Sequence, residues 1–234
     1  MKPVRIMLGI LIAVIVVIYI VSLVAHFPDL SAIPDGSLQG TSTQLPSVEI
    51  TEYNGQKLTA ASKFPENSIK GPQVIPLEGY RLRVFGLVNT SRDYRYDDVI
   101  SSFPHYTKLV TLHCVEGWDA TALWEGVLVR DILNESGSKP GANTIIFHAS
   151  DGYTTSFPLA YVTDNQILMA YRINNETLPS ARGFPFALVA ENKWGYKWIR
   201  WISGIELSND PSYRGYWEQR GYSNSGDLNA SFFG

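Results

Sequence analysis

A run of 20 residues without a charge, Ile6 to Ala25, constrains this chain more than any other feature; only Gly9, Tyr19 and Ser22 interrupt its aliphatic side chains. Wound as an α-helix it spans about 30 Å, the hydrocarbon thickness of a bilayer, and it has no polar stripe to turn toward water. A cleavable signal has a shorter apolar region, roughly 7–15 residues, and ends in a small-x-small site that Leu23-Val24-Ala25 matches poorly. The expectation is therefore an uncleaved, single-pass transmembrane anchor over residues 1–26. Lys2 and Arg5 precede the span, and no Lys or Arg follows it before Lys57. Positive charge stays inside, so everything after residue 26 is expected to lie outside a cell membrane, in an extracytoplasmic position.

Residues 27–71 carry Pro28, Pro34, Pro46 and Pro65 among Ser, Thr and Gly, with Pro72 just beyond, and read as a tether that wraps or spaces the domain, with a short strand near residues 47–53. The 19 basic and 22 acidic residues of the chain leave no cationic excess for a phosphate backbone, which argues against a nucleic-acid partner. With 13 Tyr, 10 Phe and 6 Trp, the remainder can bury a substantial core. One cysteine rules out an intrachain disulfide.

Hydrophobic alternation predicts strands at residues 81–88 and 108–115 and a last long one at 199–207. Helices are expected at 96–103 and at 126–136, the second closed by Gly137. Asp151-Gly152 between two β-rich runs predicts a hairpin with a type I′ turn. Residues 167–173 run into Asn174-Asn175, a second tight turn, and 186–190 form a short apolar strand. The expected fold class is α+β: a mixed, β-rich domain with a few short helices.

Cys114 stands where a strand runs into a loop. An unpaired thiol in an exported chain is either buried and inert or used as a nucleophile or soft-metal ligand. His113 is a poor base for it, because neighbouring side chains on a strand point to opposite faces. Downstream, Lys193 to Arg200 holds three cations and no anion, interleaved with Trp194 and Trp198. That run is either a solvated strand edge with core aromatics or an anion-binding segment.

Thr111–Trp118 (TLHCVEGW), followed by Trp124-Glu125-Gly126-Val127, resembles the cofactor region of the sulfite oxidase-type molybdopterin oxidoreductases. Further matches follow in order: Asp151–Thr155, Leu168–Tyr171, Asn175–Pro179, Arg182–Pro185, Lys193–Arg200 and Tyr216–Tyr222. The resemblance implies a molybdopterin-binding domain over residues 72–222, a C-terminal tail at 223–234, and a Mo-molybdopterin cofactor. It implies that Cys114 is the protein's sulfur ligand to molybdenum, a soft anionic donor suited to that metal. It places the pterin and its phosphate against His148, Arg182, Lys193, Gly195, Lys197, Trp198, Ile199 and Arg200. His148 is equally readable as a satisfied surface histidine.

Two departures stand out. Where the family commonly has a phosphate-pairing arginine after Gly183-Phe184-Pro185-Phe186, this chain has Ala187, so Arg182 or Arg200 must compensate. The N-terminal flank also lacks the arginine pair with which exported, preloaded members are sorted. After the ligand cysteine, sulfite-oxidising members carry a basic run, whereas Val115-Glu116-Gly117-Trp118-Asp119 has two acids and no base. That pattern looks like the reductase-type branch, whose substrates are neutral S-oxides. Trp118 would wall the pocket, and Glu116 would shuttle a proton or serve only as a loop carboxylate.

These features predict a membrane-anchored enzyme of two-electron oxygen-atom transfer on a small-molecule substrate. With a single cysteine, the chain has no Cys-x-x-Cys-His haem motif, so electrons must pass through a separate partner, a membrane quinone or cytochrome system. The alternatives are a non-catalytic binding or scaffold domain that has lost the cofactor, and a sulfite-oxidising enzyme.

Overall fold

The computed structural model describes residues 48–234. The expected anchor at 1–26 and the first part of the tether lie outside those residues, and among the described residues no helix is long and apolar enough to cross a membrane.

Two five-stranded sheets share one apolar core. In the first, β3 (Leu82–Gly86) runs parallel to β12 (Ile202–Ser208), and β4 (Arg92–Tyr94), β7 (Thr144–Ala149) and β8 (Thr154–Pro158) complete the order β4-β3-β12-β7-β8. In the second, β5 (His105–His113) and β6 (Asp119–Leu128) form a long hairpin, and β6 pairs with β9 (Leu168–Ile173). The short strands β10 (Glu176–Thr177) and β11 (Ala187–Val189) share the far edge of β9. Leu82, Val84, Phe147 and Ile205 from one sheet and Val127, Met169 and Leu188 from the other are almost wholly buried. Each such side chain stabilises the fold by about 1.5–3 kcal/mol before entropy is counted. A separate small hairpin joins β1 (Glu52–Tyr53) to β2 (Gln56–Lys57).

The expected α+β class holds, and α1 (Tyr96–Ser102), α2 (Val129–Ser136) and α3 (Leu159–Asp164) are its short helices. Several expectations need correction. The helix expected from Gly126 starts only at Val129, because Gly126, Val127 and Leu128 finish β6. Gly126 lies where β9 passes so close that a Cβ would sit 2.2 Å from the Met169 carbonyl oxygen, at a shift of register between the strands. Gly137 ends the helix as expected, with φ +65° and its N–H bonded to the Leu133 carbonyl at 2.8 Å.

The turn between β7 and β8 is not type I′. Of its central residues only Gly152 has positive φ, and Gly152 N–H closes onto the Ala149 carbonyl at 3.0 Å. Asn174-Asn175 instead takes two positive φ values, +49° and +68°, as does Asn54-Gly55 between β1 and β2, at +51° and +78°. Asn174 is fully buried there: its amide donates to Glu49 Oε1 at 3.0 Å and the Thr59 carbonyl at 2.9 Å, and accepts from Leu123 N–H at 3.0 Å. These bonds tie the N-terminal segment onto the second sheet. The last strand begins at Ile202, after Trp201 turns the chain with φ +58°, so Ile199 to Trp201 are left free to line a cleft.

Candidate functional site: a cleft around Cys114

The register of β5 and β6 ends at His113 opposite Asp119, leaving Cys114–Trp118 as a five-residue loop. Cys114 N–H bonds to the Trp118 carbonyl at 2.9 Å and Gly117 N–H to the Cys114 carbonyl at 3.0 Å. Gly117 takes φ +86°, a conformation that a side chain there would strain. The loop thus holds Cys114 at the mouth of a rigid hairpin with its side chain buried. Its Sγ lies 3.7 Å from Asn67 Nδ2 and 3.9 Å from Glu116 Oε2, and Trp118 Nε1 donates to that same carboxylate oxygen at 3.0 Å. Burial pushes the thiol pKa up, and the Glu116 charge adds to the effect. A bound metal cation would reverse that balance and hold the sulfur as thiolate.

The cleft beside this thiol encloses about 1100 Å³, solvent at its mouth included. One wall is the helical turn Gly195–Lys197 and the residues after it. A Cβ on Gly195 would come within 3.2 Å of the His113 carbonyl oxygen and 3.5 Å of Cys114 Cα, so glycine lets this turn approach the cysteine loop. Trp198 is pinned by Nε1–H to the Lys193 carbonyl at 3.1 Å, and Ile199 accepts from Leu188 N–H at 2.9 Å. Arg182 and Arg200 enter from the same side. Ala187 lines the same cleft and, like Arg200, packs on Gly183, where a built Cβ would meet Ala187 Cβ at 2.8 Å and Arg200 Cβ at 3.1 Å. The position where an arginine is expected therefore shares the cleft with two others.

Cys114, Glu116, Trp118, Arg182, Gly195, Trp198, Ile199 and Arg200 all line the cleft. Three expected contacts do not. Lys197 is fully buried with Nζ donating to Glu218 Oε1 at 2.6 Å and to the Ser156 and Asn224 carbonyls at 2.7 and 3.0 Å. Burial pulls its ammonium pKa down, and the Glu218 carboxylate works against that. Lys193 pairs with Asp227 at 2.5 Å and lies over the Tyr161 ring. His148 pairs with Glu206 at 2.9 Å, on the first sheet. The side chains of all three are committed elsewhere. Asp119 is likewise engaged by His113 at 2.8 Å.

The cleft also recruits residues to which the sequence reading gave no role. Phe64, Pro65, Asn67 and Ser68, from the end of the tether, cover it, and Tyr153, Trp217 and Tyr222 add aromatic lining. The Tyr216–Tyr222 motif was the available signal for the last two; nothing in the local pattern marks 64–68. Ser68 Oγ is buried and makes no hydrogen bond among the described residues. An orphaned hydroxyl, two guanidinium groups, a soft sulfur and flat aromatic walls fit a ring-bearing phosphate ester with a thiophilic metal.

Comparison with known proteins agrees. Residues 69–217 match the oxidoreductase molybdopterin binding domain family. The chain is 35% identical over 149 residues to the uncharacterized oxidoreductase YuiH of Bacillus subtilis, covering 63% of this chain and 74% of that protein. It is 32% identical over 163 residues to a putative protein-methionine-sulfoxide reductase subunit, YedZ1, of Azospira oryzae, covering 68% of this chain and 61% of that protein. Mitochondrial sulfite oxidase of Rattus norvegicus is 28% identical over 189 residues, covering 68% of this chain but 34% of its own length. In fold, the sulfane dehydrogenase SoxCD of Paracoccus pantotrophus superposes with a TM-score of 0.59 at 20% identity, over 79% of this chain and 56% of that one. With its cleft built around Cys114, the chain belongs to the sulfite oxidase-type molybdopterin-binding oxidoreductases, whose cofactor is Mo-molybdopterin.

Proposed function

We propose that the chain is the cofactor-bearing part of a reductase that removes the oxygen atom from a small neutral S-oxide. Two electrons and two protons convert the S-oxide to the sulfide and one water, and the electrons come from a separate partner, a membrane quinone or cytochrome system. The Ile6–Ala25 span would anchor the domain to the outer face of a membrane close to that supply.

The observation that carries this reading is the charge around the cysteine. Glu116 is the ionisable side chain within reach of Sγ, while the two arginines of the cleft are already paired with Glu66. A sulfite dianion approaching the sulfur would meet a carboxylate, whereas a neutral S-oxide would not. The bound cofactor supplies a two-electron couple with an exchangeable oxygen. The chain's own residues do the rest. Cys114 gives the metal an anionic sulfur, Arg182 and Arg200 hold the pterin phosphate, and Gly195, Trp198 and Ile199 shape the bed for the ring. Trp118, fixed by its bond to Glu116, walls the substrate, and Glu116 relays a proton toward the departing oxygen. The open cleft and the orphaned Ser68 hydroxyl favour a loaded enzyme over an empty scaffold.

Steady-state assays on protein purified from its native host test the reading, with methionine sulfoxide and dimethyl sulfoxide set against sulfite. S-oxide turnover with molybdenum near one per chain is the expected result; vigorous sulfite oxidation without S-oxide reduction overturns it.

A further inference from the structure

Glu66, on the segment that covers the cleft, accepts from both arginines. Arg200 Nη1 donates to Oε2 at 2.8 Å and Nη2 to Oε1 at 3.4 Å, while Arg182 Nη2 donates to Oε2 at 3.3 Å. Only one of the three contacts has the 2.7–2.9 Å length usual for charge-assisted bonds, as if one carboxylate underfills a site shaped for a larger anion. Two positive charges also face a single negative one. Burial raises the Glu66 pKa, but the Ser68 backbone N–H, which donates to Oε1 at 2.8 Å, and the Arg200 charge outweigh that and leave it lowered, so it stays ionised.

The segment itself is lightly held. Among the described residues, Pro65, Glu66 and Asn67 make no backbone–backbone hydrogen bond; apart from the local bond of the Ser68 N–H to Glu66, their ties are contacts to the side chains of Arg182, Arg200 and Cys114. Phe64 just before them is buried edge-on against Trp124, with ring centroids 6.0 Å apart, and forms a fixed end. The same segment that supplies the anion also places the Asn67 amide against the thiol.

We propose that Glu66 is a built-in counter-anion that a phosphate monoester displaces from Arg182 and Arg200, and that its release lifts the Pro65–Asn67 strap off Cys114. The proposal rests on the reading that this cleft takes a pterin phosphate. A phosphate ester brings up to two charges and three acceptor oxygens to guanidiniums that the carboxylate serves with two. Carboxylate and phosphate therefore compete for one site, and the phosphate's arrival uncovers the sulfur that the metal needs.

The test uses the full chain, made in a host without molybdopterin synthesis. Calorimetry measures binding of inorganic phosphate and of 4-nitrophenyl phosphate, and iodoacetamide alkylation reports exposure of the lone cysteine. Glu66→Gln is expected to bind phosphate about tenfold more tightly than wild type, the worth of one charge-assisted contact. Phosphate is expected to speed alkylation of wild type severalfold, while Glu66→Gln is alkylated fast without it. Arg200→Gln should lose the phosphate response. Equal phosphate affinity in wild type and Glu66→Gln, or alkylation indifferent to both phosphate and the substitution, overturns the proposal. If Glu66→Gln does not fold, Glu66→Asp, whose shorter arm cannot serve both arginines, must show an intermediate gain, and no gain overturns it. Tighter binding of the aromatic ester than of inorganic phosphate supports a ring-bearing ligand; equal binding overturns that assignment and makes free phosphate the ligand. Molybdenum in native protein with no response to Glu66→Gln defeats the strap alone. A response without molybdenum defeats the reading of the cleft.

Discussion

One stretch of eight residues, Lys193 to Arg200, feeds three ion pairs, and two of them have opposite character. Lys197 reaches away from the cleft and meets Glu218 with neither side chain exposed, and its ammonium is further saturated by two carbonyls. Arg200 reaches toward the cleft and shares Glu66 with Arg182 at the edge of solvent. The first cluster has no room for another anion and knits the C-terminal segment, with Trp217 and Tyr222, to the cleft wall. The second is underfilled and accessible. Equal charges from one turn are thus divided between holding the site together and holding what enters it.

The sharpest break of that comparison is Lys197→Met, which leaves Glu218 charged and unpaired in the interior. It is expected to cost about 3–5 kcal/mol in chemical denaturation, with Lys197→Met/Glu218→Leu much closer to wild type. Arg200→Gln should do the converse: stability within about 1 kcal/mol of wild type, because the pair is partly exposed and screened. Its cofactor retention, measured as molybdenum per chain after gel filtration, should instead fall as one charge-assisted contact, about 1.5–3 kcal/mol of binding, is lost.

A pH series sharpens the contrast between interior and cleft. Burial raises the phenol pKa of Tyr94 and Tyr96 to about 12, and raises those of Tyr80, Tyr153 and Tyr161 as well. A raised phenol pKa gives stability that is complete below about pH 10 and lost as pH climbs through the folded-state value. The unfolding midpoint should drop across pH 10–12. Lys197 opposes the trend only at its lower end, since a lowered folded-state pKa means that the unfolded chain binds the extra proton up to about pH 10.5 and not beyond; Lys197→Met/Glu218→Leu should therefore begin its fall at a lower pH. The smallest effect belongs to Trp118→Phe. It removes the indole donor to Glu116 and should change the KM for S-oxide by roughly two- to tenfold, the equivalent of one hydrogen bond, with little change in molybdenum content.

How much of this was written in the sequence depends on how local the signal is. Cys114, Gly195 and the two arginines were legible because short motifs carry them, and strand β3 because Leu82 and Val84 alternate with Arg81 and Arg83. Strand β6 carries no such mark. Its inward positions Ala120 and Ala122 are too small to mark a period, and Val127 and Leu128 imitate the start of the helix that follows. Asn174-Asn175 and Asp151-Gly152 both read as turns, yet which of them takes two positive φ values depends on tertiary bonds such as those of buried Asn174. A run of cations reads as one surface, so the sequence alone puts Lys193 and Lys197 against the cofactor. A tight turn at Gly195–Lys197 points successive side chains in different directions, and no spacing rule foretells which. The Glu66 strap was beyond reach for another reason: its partner Arg200 is 134 positions away.

X-ray absorption at the molybdenum edge tests Cys114 as the metal's sulfur ligand without reference to substrate. Protein from the native host should show one sulfur neighbour more than the pterin dithiolene supplies, and Cys114→Ser should lose that one scatterer while keeping the dithiolene pair. An identical sulfur shell in the two proteins would rule out Cys114 as the ligand.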